Sequence, residues 1–222
     1  MKRIFIFPTV GEAKAFILSQ PRDPVFVAGR GMAEIAAATV RAVKARKPEL
    51  VVLAGFAAAR DRRLTPGDVM EVVSDRMAAG GDTYQTSGPD LGLPLAAGVT
   101  DWRREAEEAP PVRTETGTED GTPHAAQAPD TAGTAADATA ASGAGPEKET
   151  GADTAEAETE LPLVETAEGA VFFAVCEALG TKCCQIRTVV RHVGESSDEP
   201  GTEMAAERLK ETLIQIFGNH EK

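Results

Sequence analysis

A tract without large apolar side chains runs over residues 114–160 and limits what this chain can fold into. Its 47 residues contain no Val, Ile, Leu, Met, Phe, Trp, Tyr or Cys, and they carry 11 acidic side chains against one lysine. Such a segment cannot bury enough apolar surface to offset the entropy of ordering its backbone. We therefore expect a disordered, solvated insertion, with the folded structure built from the sequence on either side of it.

The two flanks together have the length of one ordinary α/β domain. The change in composition predicts a first half over residues 1–103, the low-complexity insertion over 104–160, and a second half of the same domain over 161–222. Residues 114–160 account for −10 of the formal net charge of −12. The acidic balance therefore belongs to the tract, and we predict no basic partner and no nucleic-acid partner for the fold.

Membrane and metal-binding signals are missing from the sequence. No apolar run approaches the roughly 20 residues that a membrane helix needs, and residues 4–7 are too short for the core of a signal peptide. Cys176, Cys183 and Cys184 fit neither a disulfide framework nor a metal-ligand spacing. Cys183 and Cys184 are adjacent in a predicted strand, so we expect them to point to opposite faces of the sheet. We predict no membrane partner, no metal and no cofactor, and the cysteines favour a reducing cytoplasm.

Both flanks alternate strand and helix patterns. Predicted strands cover residues 2–7, 24–28, 50–54, 69–73 and 182–190, and predicted helices cover 13–19, 32–47, 170–179 and 203–217. A short extended segment from residue 163 is predicted to lead into the helix 170–179. The strand LVVLA at 50–54 is apolar without alternation, which is typical of a strand covered on both faces. This order predicts an α/β fold whose largely parallel or mixed sheet carries its functional residues at the rim.

Charged residues stand at several ends of these elements. Glu12 lies at a strand-to-helix junction, Glu165 and Glu168 lie at the start of a helix, and Arg191 and His192 follow the strand 182–190. Ligands of open α/β sheets usually bind beyond strand C-termini, and a helix N-terminus can hold a carboxylate. The alternative is structural: helix-capping acids and solvated charges.

The segment after the strand 50–54 is predicted to be a loop. Gly55 lets the backbone approach a ligand closely, and the amides of residues 56–59 are predicted to line a small pocket. The arginine cluster that follows (Arg60, Arg62, Arg63) either contacts an anion or is solvated. The GRG turn at residues 29–31 lacks the third glycine of a dinucleotide fingerprint and predicts only a tight turn.

With these segments placed, the chain resembles the purine nucleoside phosphorylase superfamily, and within it the futalosine hydrolases and methylthioadenosine/S-adenosylhomocysteine nucleosidases. The resemblance covers about half of the chain in the family's order. It is carried by PTVGEAKAF, VAGRGMAEIAAATV, VVLAGFAAARDRRLTPGDVMEVVSDR and VETAEGAVFFAVCEALGTKCCQIRTVVRHVGE. The last segment is the most specific, because family members carry a VE-x-MEGA helix followed by a QIR-type strand.

The resemblance implies one three-layer α/β domain with a mixed central sheet, which hydrolyses the N-glycosidic bond of a purine-type nucleoside and forms homo-oligomers. For a futalosine-like substrate, it implies a step in menaquinone biosynthesis. Glu12 matches the family's water-activating Glu, and Glu168 matches the Glu that holds the ribose hydroxyls. We therefore expect Glu12 and Glu168 to converge at one rim of the sheet around a sugar. The loop with Gly55, Phe56 and Ala57 matches the loop beside base and sugar.

At the position of the family's Asp or Asn that serves the leaving base, this chain has Arg191. Three interpretations follow. The first is a nucleosidase in which Arg191 or His192 is the donor to the base. The second is a relative that has lost catalysis and acts by binding. The third is a phosphorylase that uses Arg30 or the arginine cluster for phosphate, and it ranks last because no serine accompanies those arginines.

Overall fold

The computed structural model describes residues 1–101 and 160–218, and both stretches belong to one structural unit. The predicted insertion lies outside the described residues except for Glu160, so its disorder and the domain boundaries stay predictions. The strands within the described residues are β1 (Arg3–Phe7), β2 (Val25–Val27), β3 (Leu50–Ala59), β4 (Val69–Met77), β5 (Thr83–Gln85), β6 (Leu95–Thr100), β7 (Leu163–Thr166) and β8 (Cys183–His192). The helices there are α1 (Val10–Leu18), α2 (Met32–Arg46), α3 (Gly169–Ala178) and α4 (Glu199–Phe217).

The central sheet is mixed, as predicted. Strands β2, β1, β3 and β8 run parallel to one another, whereas β4 is antiparallel to β8. Strand β6 is parallel to β4, and β7 is parallel to β6 and antiparallel to the end of β3. Pairing therefore closes a ring through β3, β8, β4, β6 and β7. Closure brings strands from the two flanks together, because β7 and β8 come from the second flank.

Helices cover both faces of the sheet and give three layers. On one face Phe5, Phe16 and Leu213 share a buried cluster with α1 and α4. On the opposite face Ile4 and Phe173 share a second cluster with α2 and α3. Because side chains alternate along a strand, neighbouring residues of β1 enter different clusters. The same rule separates the adjacent cysteines, as predicted: Cys183 lies in the second cluster and Cys184 in the first.

The structure contradicts the predicted loop at residues 55–59. Strand β3 continues from Leu50 through Gly55, Phe56 and Ala57 to Ala59, because β8 pairs with it along this whole length. A change of register between Ala57 and Ala58 is the one irregularity in that ladder. The glycine and alanines suggested a loop, but small side chains also suit a strand that is covered on both faces.

Smaller differences concern element ends. Helix α1 begins at Val10, three residues before the predicted start, because Thr9 caps it by accepting a hydrogen bond from the Glu12 amide. Strands β5 and β6 have no counterpart among the predicted strands. Within residues 1–101 and 160–218, no helix has the length and apolar character needed to cross a membrane.

Candidate active site

Glu12 lies at the N-terminus of α1, directly after β1, and only 9% of its surface is exposed. Its Oε2 accepts a hydrogen bond of 2.7 Å from the Thr9 hydroxyl, and its Oε1 accepts one of 2.8 Å from the Phe56 amide. These donors fix the direction of the carboxylate. Burial raises the pKa of Glu12, although the two hydrogen bonds oppose that shift. A buried, oriented carboxylate of this kind is suited to accept a proton from a bound water molecule.

Glu168 faces the same site from the second flank and is paired with a buried arginine. Arg187 lies in the middle of β8, is 1% exposed, and donates from Nη2 to Glu168 Oε2 over 3.1 Å. Its Nη1 donates to the Phe56 carbonyl over 3.3 Å. Phe56 therefore contacts Glu12 through its amide and Arg187 through its carbonyl. The prediction that Glu12 and Glu168 converge is supported by this shared neighbour.

Gly55 makes this close approach possible. A Cβ atom at Gly55 would lie 2.8 Å from Arg187 Nη1 and 2.8 Å from Glu12 Oε1. Because real Cβ atoms essentially never come so close to heavy atoms, any side chain here would displace one of the two charged groups. The role of Gly55 in this structure is to provide space beneath the site.

A cavity of about 300 Å³ opens above these groups. Its lining includes Glu12, Phe56, Ala57, Glu165, Glu168 and Arg191, all of them predicted site residues. Arg187 also lines the cavity but was not predicted as a site residue. The signal for it is the single charge in the mostly apolar strand CCQIRTVV, a pattern that by itself predicts only a core strand.

The predicted anion-binding arginines are paired with acids. Glu165, predicted as a substrate-binding carboxylate at the start of a helix, lies in β7 instead. Arg60 donates to Glu165 Oε2 over 2.7 Å, so this carboxylate is held in an ion pair at the cavity wall. Arg62 pairs with Glu195 over 3.2 Å, and Arg63 pairs with Asp61 over 2.6 Å. The pairing weakens the case for this cluster as a phosphate site. Arg30 lines the cavity from the turn before α2.

Arg191 and His192 have different surroundings. Arg191 lines the cavity and donates from Nη1 to the carbonyl of Glu195 over 2.7 Å. His192 does not line it: its Nε2 lies 3.0 Å from the Leu64 carbonyl, and its Nδ1 lies 3.3 Å from Glu195 Oε2. The structure thus brings Arg191 to the site and places the imidazole outside it. Of the two predicted donors to the base, the geometry favours Arg191.

Comparison with known proteins agrees with this fold. A family model described as the phosphorylase superfamily matches residues 2–217, and the chain belongs to that superfamily. No curated protein sequence matches the chain.

Solved structures similar to the chain include three enzymes at low sequence identity. The apo 5′-methylthioadenosine nucleosidase of Arabidopsis thaliana has a TM-score of 0.63 at 11% identity, over 99% of this chain and 96% of that one. The Colwellia psychrerythraea 34H methylthioadenosine/S-adenosylhomocysteine nucleosidase in complex with adenine has a TM-score of 0.63 at 15% identity, over 98% and 95%. A futalosine hydrolase mutant of Helicobacter pylori strain 26695 has a TM-score of 0.62 at 12% identity, over 98% and 99%. At these identities the likeness establishes the fold.

Proposed function

We propose that this chain hydrolyses the N-glycosidic bond of a purine-type, futalosine-like nucleoside, as a step in menaquinone biosynthesis. The observation that carries the proposal is the convergence of Glu12 and Glu168 on one cavity, with Phe56 contacting Glu12 and the Arg187 partner of Glu168. The superfamily and the nucleosidase fold of the similar structures support it. We also propose a homo-oligomer in a reducing cytoplasm, the latter in keeping with three buried free cysteines.

Glu12 is the general base in this proposal. It takes a proton from a water molecule as the water oxygen attacks the anomeric carbon, and the bond from that carbon to the base nitrogen breaks with its electron pair leaving on the base. The transition state resembles an oxocarbenium ion, as in other glycosidic hydrolyses. The raised pKa of Glu12 suits this task, because a general base removes a proton more effectively when its pKa lies nearer to neutral pH. Glu168 accepts hydrogen bonds from the ribose hydroxyls.

Arg191 stabilises the departing base in this proposal. A guanidinium does not lose its proton near neutral pH, so Arg191 acts by charge and hydrogen bonding and not as a general acid. Its fork of donors matches the O6 and N7 acceptors of a 6-oxopurine, the pairing by which arginine reads guanine in nucleic acids. An adenine presents an amino donor at that edge. We therefore propose a preference for 6-oxopurine nucleosides such as futalosine and inosine.

The test uses purified full-length chain incubated with futalosine, inosine and methylthioadenosine, each with and without phosphate, with free base as the readout. The proposal expects release without phosphate, and faster release from the 6-oxopurines. Release of free base only in the presence of phosphate would indicate a phosphorylase. If no base is released and no nucleoside raises the melting temperature, the chain is a relative that has lost catalysis.

Glu12→Gln is the matching variant. Because general base catalysis is worth about 10²–10⁴-fold, the rate is expected to fall by about that factor. Stabilisation of the fold by bound nucleoside is expected to persist, since a glutamine side chain has nearly the same shape as glutamate. In the wild-type enzyme, kcat/KM is expected to fall as the pH is lowered, with a midpoint above the ordinary Glu pKa of 4.5, because burial raises the Glu12 pKa. A midpoint at or below the ordinary pKa would contradict the assignment of Glu12 as the general base.

A further inference from the structure

Asp75 is a fully buried carboxylate on β4, outside the cavity lining. Its Oδ1 accepts a hydrogen bond of 2.9 Å from the Thr100 hydroxyl, and its Oδ2 accepts one of 2.9 Å from the Thr166 hydroxyl. Gln185 Nε2 lies 3.4 Å from Oδ2. These hydrogen-bond partners are neutral, and burial raises the pKa of Asp75. A buried acid held in this way calls for an explanation, because desolvation makes it costly.

The two threonine hydroxyls that bind Asp75 also accept hydrogen bonds from the first amides of helix α3. Because each hydroxyl hydrogen is donated to Asp75, each hydroxyl oxygen is left as an acceptor. Thr166 Oγ1 accepts from the Gly169 amide over 3.3 Å, and Thr100 Oγ1 accepts from the Ala170 amide over 2.9 Å. These are the first two amides of α3, which have no acceptor inside the helix. The threonines therefore cap α3 from outside, and Asp75 sets their direction.

Glu168 is the N-cap residue of α3, yet its side chain makes no capping hydrogen bond. The side chains that usually accept from the amides of the first turn are those of Ser, Thr, Asp and Asn, and glutamate is not among them. Here Glu168 instead accepts from Arg187 at the cavity wall. With the first amides already satisfied by Thr100 and Thr166, α3 does not compete for the Glu168 carboxylate.

We infer that Asp75 is a positioning residue: through Thr100 and Thr166 it caps α3 and so leaves the Glu168 carboxylate directed at the cavity. This inference rests on the proposed role of Glu168 in sugar binding. Two glycines leave the space that the Asp75 carboxylate occupies, because a Cβ atom at either Gly98 or Gly169 would overlap Asp75 Oδ2. Neither glycine has a positive φ angle, so the space itself explains the absence of a side chain.

The test compares Asp75→Asn with Glu71→Gln, a variant of another buried acid on the same strand that takes no part in the cap. Asparagine keeps the shape but loses one acceptor, so one threonine is no longer oriented. We expect Asp75→Asn to lower kcat/KM by about tenfold, the loss of one hydrogen bond to a charged group, mainly through a higher KM. Glu71→Gln is expected to leave both constants unchanged. If the two variants have equal kinetics, the inference is wrong.

A double-mutant cycle separates positioning from a general loss of structure. If Asp75 acts through Glu168, adding Asp75→Asn to Glu168→Ala lowers kcat/KM no further. An additive loss would overturn the inference. Thr100→Val serves as a second route if Asp75→Asn does not fold, since it removes one capping hydroxyl while keeping the side-chain shape, and the same kinetic result is expected from it.

Hydrogen exchange distinguishes failure of this inference from failure of the proposed function. Faster exchange at the Gly169 and Ala170 amides is expected in Asp75→Asn and not in Glu71→Gln, whether or not the chain is an enzyme. If wild-type chain cleaves no nucleoside, the proposed function fails while this exchange difference still decides the capping role of Asp75. Unchanged exchange at both amides would overturn it.

Discussion

Breaking the buried Arg187–Glu168 ion pair is expected to have a large effect on the free energy of unfolding. Both residues are nearly inaccessible, at 1% and 2% exposure, and the pair is 3.1 Å apart. Replacing Arg187 by Met keeps much of the volume but leaves the Glu168 carboxylate buried without its cation. Breaking a buried pair in this way costs about 3–5 kcal/mol, a large part of the roughly 5–15 kcal/mol that stabilises a typical domain. With m-values of about 1–3 kcal/mol per M, the urea midpoint is expected to fall by at least about 1 M.

The assay is urea unfolding at pH 7, followed by far-UV circular dichroism. Arg63→Met is the matched control: its pair with Asp61 is shorter, at 2.6 Å, but the Arg63 side chain is 55% exposed. No change in midpoint is expected there, because exposed pairs contribute little. Adding Glu168→Gln to Arg187→Met is expected to recover most of the loss, since no buried charge is then left unpaired. Equal midpoints for Arg187→Met and Arg63→Met would refute the reasoning.

Two further variants test the packing and the electrostatics around the site. Gly55→Ala is expected to lower the free energy of unfolding by about 1–3 kcal/mol and to abolish most nucleoside cleavage, because the added Cβ displaces Glu12 or Arg187. Wild-type values for both the unfolding free energy and the cleavage rate would contradict this. Glu71→Gln is expected to raise the melting temperature at pH 7–8. Burial raises the Glu71 pKa in the fold, so the stability that the acid contributes is present below its unfolded pKa of 4.5 and is lost as pH rises through the folded value. The difference between Glu71→Gln and wild type should therefore disappear as pH falls below 4.5, and a gap that stays constant with pH would rule out this cause.

Local sequence patterns predicted the layers of the fold well. The apolar strands and amphipathic helices identified a covered, mixed sheet, and strand alternation separated Cys183 from Cys184. The predicted loop at residues 55–59 was wrong because glycine and alanine are typical of turns as well as of tightly packed strands. Only pairing with β8, more than a hundred residues away along the chain, distinguishes the two.

The candidate site was predicted in part, and mainly by resemblance. Glu12 and Glu168 lie at element ends, where a charge stands out in the sequence, and both line the cavity. Arg187 was missed because it lies inside a predicted core strand, where the sequence does not reveal the partner of a charge. Asp75 was missed because it lies in a polar run beyond the predicted strand 69–73, and its partners Thr100 and Thr166 come from other strands. His192 was predicted from its position after the predicted strand 182–190, but it is the last residue of β8, and its ring lies against Leu64 and Glu195, away from the cavity.

By itself the sequence determined which side chains enter the core and which segments form helices, because hydrophobic periodicity acts over a few residues. The tertiary structure alone decided the partners of the charged groups. Phe56 lies 44 residues from Glu12 and 131 from Arg187 along the chain. It contacts both because β3 pairs with β1, which leads into α1 and Glu12, and also with β8, which carries Arg187. No local pattern in the sequence records these pairings or their register.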